Sequence, residues 1–136
     1  LSKEFIWPVR VYYEDTDHGG VVYYANYLRF MERARTEWLR ALGFEQDRLI
    51  EEEGLIFAVR SVQLDYHKPA RFNDCLEVSA RMTRFGRASI DFEQQVRRGE
   101  ELLCEGVVRL ATLDAGSFRP RPTSQRLIER LNEERP

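Results

Sequence analysis

The 136-residue sequence is poor in cysteine, histidine and lysine, and it has no long apolar run. No stretch approaches the ~20 apolar residues that a membrane-spanning helix needs. Its start lacks the basic, apolar and small-residue succession of a signal peptide, so the chain is expected to be cytoplasmic, without membrane insertion. The two cysteines, Cys75 and Cys104, form no C-x-x-C pair. Each falls in a strand pattern, which predicts buried free thiols rather than a disulfide framework. Only two histidines occur, His18 and His67; with two strand cysteines they make a poor basis for structural zinc. There is no G-x-S-x-G elbow, no phosphate-binding glycine loop and no H-E-x-x-H. Of 21 basic residues all but Lys3 and Lys68 are arginine, yet 23 acidic residues bring the net charge to −2. That balance speaks against a nucleic-acid partner, which calls for a basic excess or stripe. Repeats, low-complexity segments and long linkers are absent, so residues 1–136 are expected to form a single domain.

What is present is a soluble composition, 43% apolar and 32% charged, with clear periodicities. Phe5, Trp7, Val9, Val11 and Tyr13 alternate with Arg10, Tyr12 and Glu14, as in a half-buried strand. Pro8 marks that strand as an edge or a kinked start. Asp15 to Gly20 is rich in turn formers and ends it. A long helix is predicted from about Tyr24 or Asn26 to Leu42. Tyr27, Met31, Ala34, Trp38 and Leu42 share one face of it, and Arg29, Arg33, Glu37 and Arg40 the other. Arg33 and Glu37 are spaced to pair across one turn, and Gly43 stops the helix. A shorter helical piece is expected over Gln46 to Glu53. Four strands follow: Leu55 to His67, one around Leu76 to Met82, one around Ile90 to Val96, and Leu102 to Leu113. Turns are predicted at Phe85-Gly86-Arg87 and Arg98-Gly99-Glu100, and a short terminal helix holds Leu127, Ile128 and Leu131. The pattern is α+β, with one long helix on an antiparallel sheet. The last strand is apolar on both faces, which suggests a central place in the sheet or a face covered by another subunit; one helix covers only one side of the sheet, so a homo-oligomer is expected.

The chemistry concentrates in the loop before the long helix. Asp15, Asp17 and His18 lie within four positions, followed by Gly19 and Gly20. The first amide groups of a helix lack internal partners and carry the positive end of its dipole. They can hold a developing oxyanion, and a carboxylate beside them can act as base or nucleophile on the bound carbonyl. Ordinary turn and capping chemistry uses the same residue types, so the residues alone leave both readings open.

Three segments carry a resemblance. They are Val9-Arg10-Val11-Tyr12-Tyr13-Glu14-Asp15-Thr16-Asp17, then Gly19-Gly20-Val21-Val22-Tyr23 with Asn26-Tyr27, then Glu32-Arg33-Ala34-Arg35-Thr36-Glu37. Together with Tyr66-x-x-Pro69-Ala70 they resemble the Tol-Pal-associated acyl-CoA thioesterases, a subfamily of the hydroxybenzoyl-CoA thioesterase-like hotdog proteins. The resemblance implies a hotdog fold, one central helix wrapped by a curved antiparallel sheet of about five strands. It also implies dimers or dimers of dimers with interfacial active sites, acyl-CoA as substrate, and no metal or cofactor. The second acid of the D-x-D pair maps to Asp17 as the catalytic carboxylate. The backbone N–H that polarises the thioester carbonyl maps to Tyr24, where close relatives often carry histidine. His18 is a neighbour able to assist proton transfer, and Asp15 a loop-orienting acceptor. For the phosphorylated end of coenzyme A, Arg84, Arg87, Arg119 and Arg121 are candidates. Two other functions remain open. One is a hydratase or dehydratase on acyl thioesters, using His18 or His67. The other is a non-catalytic partner of an acyl carrier protein or an envelope complex.

Overall fold

The structure is a computed structural model that describes residues 4–134. The alternating apolar segments become five strands: β1 (Phe5–Arg10), β2 (Leu55–Tyr66), β3 (Cys75–Gly86), β4 (Ser89–Arg98) and β5 (Glu101–Asp114). Three helices accompany them, α1 (Asn26–Ala41), α2 (Gln46–Glu53) and α3 (Gln125–Glu133). The strands form one antiparallel sheet in the order β1-β3-β4-β5-β2. This is the expected α+β hotdog arrangement.

One face of α1 is buried on the sheet: Tyr27, Met31, Ala34 and Trp38, with Leu42 just beyond its end. They meet Val78, Ala80, Met82, Ile90, Phe92 and Val96, which face them at every second position of β3 and β4. The buried stripe of α1 is wider than the predicted spacing, because Phe30, Arg35 and Leu39 belong to it as well. The expected Arg33–Glu37 pair does not form. Glu37 bonds to Arg40 at 2.5 Å, and the Arg33 guanidinium lies 5.8 Å over the Phe30 ring instead.

Three strand expectations are corrected. β1 ends at Arg10; the chain tightens into a 3-10 turn over Tyr13–Asp15, which turns Tyr13 out to solvent while Val11 stays buried. Gly86 pairs with Ser89, so the β3–β4 turn is Arg87-Ala88 rather than Phe85-Gly86-Arg87. Cys75 is exposed at the first position of β3, where only Arg10 lies opposite it; Cys104 is buried as expected. β5 runs between β4 and β2, and one of its faces is covered: Cys104, Val108, Leu110 and Thr112 are buried, whereas Val107 on the other face is exposed. β2 crosses β5 closest at Gly106. A side chain there would collide with Leu64 and with the Gln63 carbonyl, so the strands approach only because Cβ is missing.

Candidate active site

The loop between β1 and α1 is held by its own backbone. Asp17 N–H bonds to the Val21 carbonyl at 2.9 Å and Gly20 N–H returns to the Asp17 carbonyl at 3.1 Å. The Asp17 carboxylate accepts Gly19 N–H at 2.8 Å through Oδ1 and is otherwise exposed. Gly20 closes the turn at φ +78°, a conformation that suits glycine. Val22 N–H to the Ala70 carbonyl at 2.8 Å, and the bridge between Val21 and Arg71, fasten the loop to the segment before β3.

Asp15 orients this loop. It is buried, its Oδ2 accepts Tyr12 N–H at 2.8 Å, and its carbonyl accepts Tyr23 N–H at 3.0 Å and Asn26 Nδ2 at 2.9 Å. Helix α1 starts beside it without a side-chain cap and without an acid in its first turn. Tyr23 N–H and Asn26 N–H are both taken, whereas no acceptor among the described residues takes Tyr24 N–H. An uncapped helix start with a free amide is the kind of donor an oxyanion requires, and the exposed Asp17 carboxylate belongs to the loop that leads into it.

Tyrosines surround this helix start. The Tyr66 hydroxyl donates to the Tyr24 carbonyl at 3.0 Å, and its ring meets those of Tyr24 at 6.2 Å and Tyr27 at 5.5 Å. The Tyr27 hydroxyl accepts Ala70 N–H at 3.0 Å. Burial raises the Tyr66 phenol above its ordinary value. Burial raises Tyr27 too, against the lowering effect of the Ala70 N–H. Both therefore stay neutral, and Tyr66 remains a donor. The Tyr24 ring is exposed and packs against those of Tyr23 and Tyr66. His18 is exposed on the loop, and among the described residues no hydrogen bond or ion pair holds its side chain.

The four arginines lie elsewhere. Arg84 and Arg87 flank the β3–β4 turn, and Arg119 and Arg121 follow β5; Thr123 N–H to the Arg87 carbonyl joins the two segments. Asp17 is fastened beside the start of β3. Nine residues of strand separate Cys75 from Arg84, on the order of 30 Å, so one protomer does not bring the arginines to Asp17. Arg84, Arg87 and Arg119 are exposed. Arg121 is engaged, donating to the Glu53 carbonyl at 2.7 Å and lying 3.5 Å from Asp114.

One contributor was missed from sequence. Tyr66 stood in a noted motif, but its contact with the helix start is a tertiary fact.

With this geometry in view, the thioesterase superfamily model matches residues 19–105, beginning just after Asp17. This chain belongs to the thioesterase superfamily. It is 47% identical over 120 residues to the acyl-CoA thioesterase YbgC of Haemophilus influenzae, covering 88% of each chain. It is 42% identical to the acyl-CoA thioester hydrolase YbgC of Escherichia coli O157:H7, over 95% of this chain and 96% of that one. Among solved structures, a probable thioesterase from Bartonella henselae superposes with TM-score 0.86 at 35% identity, covering 90% of this chain and 100% of that one. The DHNA-CoA thioesterase of Staphylococcus aureus reaches TM-score 0.89 at 22% identity, over 96% and 89%, a likeness of fold alone. No described helix is long and apolar enough to cross a membrane.

Proposed function

We propose that the chain, acting as one domain, hydrolyses acyl-CoA thioesters, adding water across the thioester to release the free acid and CoA. Asp17 acts as base toward water or as nucleophile on the carbonyl carbon, and Tyr24 N–H receives the developing oxyanion. The observation that carries this reading is the exposed Asp17 carboxylate, fixed by Gly19 N–H in the same loop that delivers the unused Tyr24 N–H. The identity to YbgC relatives supports the substrate class. Asp17→Asn is expected to stay folded and oligomeric and to lose at least ~100-fold in turnover, since a positioned base contributes ~100 to 10,000-fold. Thiol release from a panel of acyl-CoAs measures it, and near-normal rates in that variant would refute the assignment.

The same reading calls for two copies of the chain. β2 is an unpaired edge carrying Val59 and Val62, 55% and 41% exposed. Pairing β2 with its own copy about a two-fold axis through its middle sets Val59 opposite the second copy's Val62, and Leu55 opposite its Tyr66. Residues opposite one another then point to the same face throughout. The Asp17–Tyr24 end of one copy would thereby meet the Arg119–Arg121 end of the other, so that a CoA phosphate and the thioester are served by different protomers. A dimer of dimers would be built from this unit. The free thiols suit a cytoplasmic location.

His67 Nε2 lies 2.8 Å from Glu105 Oε2, the kind of pair a hydratase or dehydratase uses. Unchanged hydrolysis in His67→Ala and His18→Ala would leave that second reading without support. Silence across the whole acyl-CoA panel would favour binding to an acyl carrier protein or a Tol-Pal envelope partner.

A further inference from the structure

The first two residues of α1 reach back to the loop that precedes the helix. Asparagine is a favoured N-cap, where its side-chain oxygen accepts an amide of the first turn. Asn26 stands one position inside the helix, after an Ala25 that makes no side-chain cap. Its side chain is used as a donor instead: Nδ2 reaches the Asp15 carbonyl at 2.9 Å, across eleven positions. A carbonyl oxygen has two lone pairs, and Tyr23 N–H takes the other at 3.0 Å. Asp15 is two residues before Asp17, and Tyr23 is the residue before Tyr24. The stretch that carries the carboxylate and the one that carries the free amide therefore meet at one oxygen atom. Inside the loop Thr16 bridges Val22, and Asp17 N–H reaches the Val21 carbonyl. Asp17 thus rides on a small hairpin whose angle to α1 is set where the two join. Tyr27 holds the far side: its hydroxyl accepts Ala70 N–H, and the Ala70 carbonyl accepts Val22 N–H. The two ties differ in what their loss leaves behind. Without the Tyr27 hydroxyl a buried amide loses its partner, whereas without Asn26 Nδ2 the Asp15 carbonyl keeps Tyr23 N–H.

We propose that Asn26 is a positioning residue: its side-chain amide fixes the Asp17 hairpin against the helix start, and so sets the carboxylate relative to Tyr24 N–H. The inference rests on the thioesterase reading. With Nδ2 gone, the junction is left with the Tyr23 N–H bond alone, and the hairpin tilts about it. Neither Asp17 nor the Tyr24 amide is altered, and no buried group is orphaned. The loss therefore falls on the chemical step, where a misplacement of about 1 Å costs on the order of 100-fold, and not on folding.

The test is steady-state turnover of the full chain on the acyl-CoA that the wild type cleaves fastest. Asn26→Leu keeps the approximate size, removes the donor and adds no charge. It is expected to lower kcat at least about tenfold, with KM within about twofold of wild type and the urea midpoint nearly unmoved. Asn26→Asp has the shape of asparagine with a carboxylate in place of the donor, and a carboxylate beside a carbonyl oxygen favours its protonated form. Protonated, it regains an O–H for the Asp15 carbonyl. Its kcat relative to wild type at the same pH should then rise as the pH falls from about 7.5 to about 5, a rescue that Asn26→Leu does not show. A kcat within about twofold of wild type in Asn26→Leu overturns the proposal, and so does a loss confined to KM or to the urea midpoint. Amide hydrogen exchange gives a readout independent of turnover. In Asn26→Leu the Tyr23 N–H is expected to exchange at least about tenfold faster, with the interior of α1 unchanged. Lost turnover with unchanged exchange at Tyr23 also overturns the proposal. Faster exchange in a chain whose wild type cleaves no acyl-CoA would keep the tie and defeat the thioesterase reading. Normal hydrolysis and normal exchange in Asn26→Leu would do the reverse.

Discussion

β1 and β2 are the two edges of the sheet, and they are finished in opposite ways. β1 is six residues long, carries Pro8, and gives way at Arg10 to a tight turn. β2 runs for twelve residues without proline and leaves Val59 and Val62 half exposed on the helix side. A short, proline-bearing edge resists pairing with another chain, while a long unblunted one invites it. The contrast is the one expected if β2, and not β1, makes the proposed pairing.

The strongest way to break the comparison is to charge the β2 edge. Val59→Lys with Val62→Lys would set lysines opposite one another in the paired form, and the mass in solution, by light scattering, is expected to fall to that of the monomer. Ile6→Lys on β1, also at an exposed apolar position, should leave the mass unchanged. Equal sensitivity of the two edges would remove the distinction. Gly106→Ala addresses how β2 is held from behind. The added methyl meets Leu64 and the Gln63 carbonyl, and overpacking of this kind costs about 1–3 kcal/mol, to be read from urea denaturation.

A smaller effect uses the thiol beneath each edge. Cys75 sits opposite Arg10 of β1 and is exposed; Cys104 sits opposite Tyr66 of β2 and is buried. Burial, with Asp65 and Glu105 nearby, pushes the Cys104 thiol up to about 12. One thiol per chain should therefore react with a disulfide reagent at pH 8 in the native protein, and two after denaturation. Because the folded value lies above the ordinary one of 9.0, the stability Cys104 contributes is complete below about pH 9. It is lost as the pH rises toward about 12. Cys104→Ser should remove that part of the alkaline limb, read from urea denaturation at rising pH.

Much of this contrast was legible before any coordinates. Pro8 marked its strand as an edge or a kinked start, and it is an edge; the two-faced apolarity of Leu102 to Leu113 pointed to a central strand or a subunit-covered one, and the strand lies inside the sheet. The strand order was not legible. Nothing in the Leu55 to His67 segment says that it crosses to the far side of the sheet to join β5. Asp15, Asp17 and the helix start were readable as a cluster because they are adjacent in sequence. The exposure of Cys75 and the turning-out of Tyr13 escaped because alternation cannot show where a strand stops. Tyr66 escaped because its meaning lies in a contact across 42 positions.

The hydrogen bond from the Tyr66 hydroxyl to the Tyr24 carbonyl has a kinetic corollary. The last residue of the exposed edge strand also steadies the peptide that opens the helix, so in the proposed dimer the pairing and the turn that carries Tyr24 would share one tether. Specific activity should then depend on how concentrated the enzyme is, falling on dilution below the dissociation midpoint. Tyr66→Phe should uncouple the two, with rates that decline although the particle mass holds.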